Sequence, residues 1–117
     1  MAYKPRLTEK TITLKGADIA AGSFVLWRAS VPCKIKAVRA YRVGGTTAVV
    51  NATKNGASVL TGDLATPAAS TWAAGSLGAL SARRMVEGDT LAATIVSASG
   101  TPTDLVIQID IEKDANF

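Results

Sequence analysis

Few side chains in this 117-residue chain could carry out chemistry. Histidine is absent and Cys33 is the single cysteine, so neither a histidine-assisted nucleophile nor a zinc site built from several His and Cys ligands can form. No glycine-rich loop opens a predicted helix, and no Ser-x-x-Lys motif occurs. The sequence does not exclude an active site in which a pair of carboxylates acts on a sugar. However, a chain this short has little room for both a deep cleft and a core. We predict a non-enzymatic protein without a cofactor.

Two aspartates follow glycines in predicted turns, at Gly62-Asp63 and Gly88-Asp89. Either carboxylate could contribute to a Ca²⁺ site, because Ca²⁺ takes oxygen ligands. The other interpretation is that each aspartate caps its own turn with its side chain. The acidic residues are otherwise scattered along the chain, which favours the turn-capping interpretation, so we predict no metal site.

The length and composition indicate one domain. Hydrophobic residues make up 48% of the chain, but the longest apolar stretches are far shorter than the roughly 18 residues that a membrane helix needs. No basic segment followed by an apolar one opens the sequence, so we expect no secretory signal and no membrane partner. Cys33 has no partner for an internal disulfide, which fits a reducing compartment, and we expect a buried thiol.

Basic residues are concentrated in the first part of the chain. Residues 1–42 hold nine Lys or Arg against two acids, a net charge of +7, whereas residues 43–117 hold four against seven, a net charge of −3. Such a split can indicate an acidic partner, nucleic acid, or association of identical subunits. A solvated basic face is the remaining interpretation.

Glycine-centred turns divide the sequence into short β-branched runs typical of strands. Asn55-Gly56 predicts a two-residue type I′ hairpin loop. The apolar alternation slips within the run 33–43, which predicts a β-bulge near Ala37-Val38. Residues 104–113 alternate cleanly, with Leu105 and the isoleucines that follow it facing the core. We predict an all-β protein: an antiparallel β-sandwich of jelly-roll type with about eight strands. Residues 1–8 form an extended arm in this prediction, and residues 9–114 form the sandwich.

Two aromatic segments have specific predicted places. The run Phe24-Val25-Leu26-Trp27 is dense and apolar, which predicts a central strand buried on both faces. Trp72 lies in a long loop of small residues, and we predict that it covers the core. The alternative is that Trp72 is exposed and contacts a ligand from its loop, as a stacking platform for a sugar.

Arginines near Tyr41 form the one cluster that combines basic and aromatic side chains. Nucleic-acid binders of single strands pair a basic groove with exposed aromatics, but aromatic residues are only 5% of this chain. The composition therefore argues against nucleic acid as the partner. We instead predict a face that contacts another subunit or an acidic partner, made of Arg39, Tyr41, Arg42, Arg83 and Arg84.

Several segments of the sequence resemble segments of the small β-sandwich structural proteins of tailed bacteriophages, especially head decoration (cement) proteins. The resemblance covers about four-fifths of the chain. It rests on the segments 19–23 (IAAGS), 31–45 (VPCKIKAVRAYRVGG), 50–56 (VNATKNG), 86–91 (VEGDTL) and 99–105 (SGTPTDL).

The resemblance implies a virion structural protein that binds the outer surface of the phage head and stabilises it by bridging major capsid subunits. It implies assembly in the bacterial host cytoplasm and a homo-oligomer, a trimer first and a dimer second. The capsid-binding arm would use Lys4, Pro5, Arg6 and Lys10. The alternative functions are a carbohydrate- or receptor-binding module of a phage tail fibre or spike, with Trp72 and Tyr41 as its exposed aromatics, and a capsid or connector component that touches the genome.

Overall fold

Two antiparallel β-sheets pack face to face in the computed structural model, which describes residues 6–114. This part of the chain contains six strands of seven or more residues: β1 (Arg6–Lys15), β2 (Gly22–Arg28), β3 (Cys33–Val43), β4 (Thr47–Lys54), β9 (Thr90–Ser99) and β10 (Asp104–Lys113). Four two-residue strands complete the sheets: β5 (Ala57–Ser58), β6 (Leu64–Ala65), β7 (Ala73–Ala74) and β8 (Arg84–Met85). The helical segments are a 3₁₀ turn at Gly16–Asp18 and the short helix α1 (Leu80–Arg83).

The strands divide equally between the sheets. Sheet 1 has the order β1-β10-β3-β7, with β8 also paired to β3, and sheet 2 has the order β2-β9-β4-β5, with β6 also paired to β4. Neighbours in the long ladders come from distant parts of the sequence, as when β10 lies between β1 and β3. The first strand begins at Arg6, which pairs with Lys113. Three residues of the predicted arm therefore belong to the sheet.

Alternation along the strands builds the core between the sheets. Leu105, Ile107, Ile109 and Ile111 of β10 are fully buried, as predicted, and belong to one buried cluster with residues of β4 and β9. Cys33 is also fully buried, which confirms that expectation. The residues between these positions on β10 are partly exposed on the outer face of sheet 1.

The predicted turn and bulge are both present. Asn55 and Gly56 have φ of 52° and 86°, and positive φ at both central residues is what a type I′ loop requires. In the β3–β10 ladder Asp110 pairs with Ala37 but Ile111 pairs with Ile35. Lys36 is therefore the extra residue of a bulge, one position before the predicted site. This bulge lets the buried face continue from Ile35 to Val38.

The predicted position of the run Phe24–Trp27 is wrong. It lies on β2, which is an edge strand of sheet 2 and pairs only with β9. Val25 points away from the core and is 75% exposed, while Phe24 and Trp27 are half-buried. A register shift at Leu26 interrupts the ladder. Such bulges are one way in which proteins keep an edge strand from pairing with other chains.

Candidate interaction surfaces

The residues predicted for the arm fall into two groups. Lys4 and Pro5 lie outside the described residues, and Arg6 begins β1. Lys10 pairs with Ile109, a buried residue, so it projects from the inner side of the edge strand β1. Its ammonium lies 5.3 Å from the ring centroid of Trp27 on β2. The assignment of Lys10 to the arm is wrong, because Lys10 makes a cation–π contact that joins the edges of the two sheets.

Arg42 is part of the interior. It follows Val38 and Ala40 on the inner side of β3, and its residue is 1% exposed. Its Nε donates to the carbonyl of Thr66 at 3.0 Å, and its Nη1 donates to the carbonyls of Gly44 and Gly45. The prediction that Arg42 contacts a partner is wrong, because its guanidinium is enclosed and holds the backbone of two loops at one end of the sandwich.

Arg39, Tyr41 and Trp72 share the outer face of sheet 1. Arg39 forms an ion pair with Asp110 of the neighbouring strand β10. Tyr41 contacts Trp72, with ring centroids 5.1 Å apart and planes inclined at 50°. Trp72 directly precedes β7, which pairs with β3 through Ala73 and Ala40, and this pairing places the indole outside the sandwich. Trp72 is 49% exposed, so the prediction that it covers the core is wrong.

Arg83 and Arg84 follow one another but have different environments. Arg83 donates from Nη1 to the carbonyl of Ile35 at 3.2 Å and from Nε to the carbonyl of Gly78 at 3.3 Å, so it holds α1 against β3. Arg84 forms an ion pair with Asp114 at 2.9 Å and remains about half exposed. Only Arg84 of this pair presents its guanidinium mainly to the surface.

Ion pairs within sheet 1 offset part of the charge split along the sequence. The acidic strand β10 lies between the basic strands β1 and β3. Ion pairs within the described residues join Lys15 to Asp104, Lys34 and Lys36 to Glu112, Arg39 to Asp110, and Arg84 to Asp114. These partners could not be predicted from the sequence, because their separation along the chain hides the strand order that brings them together.

Asp63 and Asp89 support their local loops. The Asp89 carboxylate accepts hydrogen bonds from the Val86 backbone N–H and the Asn55 amide, both at 2.9 Å, and these bonds hold the pKa of Asp89 below its usual value. Asp63 accepts from the Asn51 amide at 2.9 Å. Across residues 6–114 no group of three or more His, Cys, Asp or Glu side chains converges as metal ligands would.

An open groove of about 660 Å³ lies at the end of the sandwich opposite the start of β1. It runs between the 3₁₀ turn and the β9–β10 loop, and hydroxyls of Ser99, Thr101 and Thr103 line it beside Ile19 and Pro102. Charged and aromatic side chains are missing from its lining.

Among the described residues, no helix has the length and apolar character needed to cross a bilayer.

Comparisons with known proteins identify the fold. Neither the protein-family models nor the curated protein sequences contain a match to this chain. Among solved structures, the CBM36-1 domain of a multidomain xylanase from the hindgut metagenome of Trinervitermes trinervoides is 14% identical, with a TM-score of 0.51 over 94% of this chain and 98% of that one. A chain of the cyanophage Pam1 capsid asymmetric unit is 8% identical, with a TM-score of 0.50 over 95% of this chain and 86% of that one.

The fold is a jelly-roll sandwich. This confirms the predicted fold class. A third solved structure, the carbohydrate-binding module CBM36 in complex with calcium and xylotriose, is 21% identical over 92% of this chain and 91% of that one, with a TM-score of 0.46. Of these three structures, the two with a TM-score of at least 0.50 are a carbohydrate-binding module of a xylanase and a chain of a phage capsid.

Proposed function

We propose that this protein is a non-enzymatic virion protein that decorates the outside of a phage head. The proposal is carried by one agreement: the sequence resembles head decoration proteins, and the fold matches a chain of a phage capsid over 95% of this chain and 86% of that one. The partner would be the major capsid protein, and the location would be the head surface.

The charged side chains of the described residues support a structural role. Arg39 and Asp110 pair with each other on the outer face of sheet 1, and Arg42 and Arg83 hold backbone carbonyls. An active site instead needs titratable groups that converge on a cleft. The groove between the 3₁₀ turn and the β9–β10 loop is lined without such groups. The outer surface of the sandwich is then the functional part of the molecule.

Decoration would stabilise the head by mass action. A protein that binds the assembled shell and not its separated subunits adds about 2.7 kcal/mol per site at a free concentration of 100 times Kd. Each copy that bridges two capsid subunits makes their separation more costly. A homo-oligomer, a trimer first and a dimer second, would multiply these contacts, since each subunit adds a bridge.

Labelling of purified virions tests the proposal. An antibody raised against this protein, detected with colloidal gold, should label the heads of intact particles. Heads prepared without the protein should regain the label when the purified protein is added, and they should then withstand higher temperature before releasing DNA. Label confined to tails, or no rebinding to heads, would contradict head decoration.

The exposed aromatic pair favours a second candidate, a carbohydrate-binding module of a tail fibre or spike. Trp72 is half exposed beside Tyr41 on the outer face of sheet 1, and aromatic faces are common contacts for apolar ligand surfaces. The fold likeness to the CBM36-1 domain agrees with this candidate. A glycan array would detect binding, and Trp72→Ala should abolish it. Trp27→Phe, at the other tryptophan, is the control and should keep it.

A further inference from the structure

One end of the sandwich collects positively charged side chains. The loop 29–32 joins the end of β2 to the start of β3, and the loop 86–89 joins β8 to the start of β9. Arg28 pairs with Thr90, and Lys34 pairs with Arg84, so these segments meet at the same end. We call it the basic end. Among residues 7–114, whose side chains the structure describes, its basic residues are Arg28, Lys34, Lys36, Lys54, Arg83, Arg84 and Lys113.

The charge of the basic end is not balanced locally. Its seven basic residues face four acids, Glu87, Asp89, Glu112 and Asp114, which leaves a net charge of +3. Glu112 is shared between Lys34 and Lys36 at 3.5 and 3.6 Å, so one carboxylate serves two ammonium groups. The opposite end carries Lys15, Arg42, Asp18 and Asp104, for a net charge of 0. The positive charge left over after internal pairing is therefore directed to one end of the molecule.

Exposed apolar side chains lie among these cations. Leu7 near the start of β1 is 63% exposed, Leu80 at the start of α1 is 45% exposed, and Val86 after β8 is 57% exposed. Protein–protein interfaces combine apolar side chains in the contact with a charged rim. Binders of single-stranded nucleic acid instead place aromatic side chains beside the cations, and the exposed aromatic pair Tyr41–Trp72 is on the outer face of sheet 1. The composition of the basic end favours a protein partner.

We propose that the basic end is the surface that docks onto an acidic protein surface. This inference rests on the proposed function, in which that surface is the outside of the head shell. The pair Tyr41–Trp72 on the outer face of sheet 1 and the groove at the opposite end then remain free, because they lie outside the docking surface.

Charge variants at the two ends test the docking surface. Arg28→Gln/Lys36→Gln removes two positive charges from the basic end, and both side chains are exposed. Lys15→Glu changes the net charge by the same amount at the opposite end, where Lys15 is 77% exposed. Binding to heads prepared without the protein is measured by co-sedimentation in 150 mM salt. We expect Kd to rise at least tenfold for the double variant and less than threefold for Lys15→Glu, with wild-type binding weakened in 1 M salt.

Apolar variants provide the second arm of the experiment. Val86→Ser should raise Kd about fivefold, whereas Val25→Ser, at an exposed valine on sheet 2, should leave it unchanged. If wild-type protein binds heads and the basic-end variants bind as well as their controls, the docking surface is wrong while head decoration stands. If wild-type protein does not bind heads, both proposals fail. Stronger binding to a duplex DNA than to heads at 150 mM salt would replace the acidic protein partner by nucleic acid.

Discussion

Replacing Arg42 by methionine tests whether a buried guanidinium holds the two sheets together at one end. Arg42 lies on β3 of sheet 1, and its Nε donates to the carbonyl of Thr66, which directly follows β6 of sheet 2. Nη1 donates to the carbonyls of Gly44 and Gly45 in the loop after β3. Methionine has a similar length and can fill the site, but it cannot donate to any of these oxygens.

The expected cost follows from the carbonyls left without donors. The Thr66 carbonyl is in a buried contact, and a buried acceptor that loses its partner costs about 1–3 kcal/mol. The two glycine carbonyls are partly buried and regain water, so each adds less. Removing a buried charge offsets part of this loss. We expect a net destabilisation of about 3 kcal/mol, which is a large share of the 5–15 kcal/mol typical of a domain.

Arg39→Met is the matched control on the same strand. Arg39 forms an ion pair with Asp110 on the surface, and its side chain is 40% exposed. Exposed ion pairs contribute about 0–1 kcal/mol. With a urea m-value of about 1.5 kcal/mol/M, Arg42→Met should lower the unfolding midpoint by about 2 M and Arg39→Met by less than about 0.7 M. Arg42→Lys keeps the charge but lacks the several N–H donors of the guanidinium, so its unfolding midpoint should lie between those of the two methionine variants. Equal midpoints for Arg42→Met and Arg39→Met would refute the structural role.

Three further predictions concern single sites. Burial raises the pKa of the Cys33 thiol, so Cys33 should not react with Ellman's reagent at pH 8 until urea unfolds the protein. The stability that the buried thiol contributes is complete below the thiol pKa of the unfolded protein, and it declines as pH rises through the thiol pKa of the folded protein. Hydrogen bonds lower the pKa of Asp89, so wild-type protein should be more stable than Asp89→Asn at pH 5 and above in urea titrations, an advantage lost as pH falls below about 4. A Cβ at Gly45 would lie 2.6 Å from the Pro102 nitrogen, whereas one at Gly16 would meet nothing within 4 Å; thermal melts should therefore show Gly45→Ala costing more than the roughly 1–2 kcal/mol expected for Gly16→Ala from positive φ alone.

Each of these predictions has an outcome that would contradict it. Rapid modification of native Cys33 would place its thiol at the surface. An Asp89→Asn difference that is independent of pH would mean that the carboxylate charge contributes nothing to the loop. Equal melting temperatures for Gly45→Ala and Gly16→Ala would show that the loops 44–46 and 100–103 do not approach as closely as the structure indicates.

Local patterns predicted the parts of the fold that depend on local backbone geometry. The alternation of residues 104–113 gave the buried face of β10, and Asn55-Gly56 gave a turn with two positive φ values. The slip in the pattern of β3 indicated the bulge that is present at Lys36. The same slip places Arg42 in phase with Val38 and Ala40, so the burial of Arg42 could have been read from the sequence as well.

Strand order limited the remaining predictions. The apolar run of β2 looked central, but an apolar composition does not show whether a strand has one neighbour or two, and β2 has only β9. The position of Trp72 depends on the pairing of β7 with β3. The ion pairs of sheet 1 depend on β10 lying between β1 and β3. These facts involve contacts across most of the chain, which residue periodicity does not encode.

Cryo-electron microscopy of the virion that contains this protein tests the central claim most directly. Head decoration predicts density for the two-sheet sandwich on the outer surface of the shell, with the basic end of Arg28, Lys34 and Lys36 turned toward the capsid subunits and touching more than one of them. Density for the sandwich on the tail or its fibres, with none on the head, would contradict the claim.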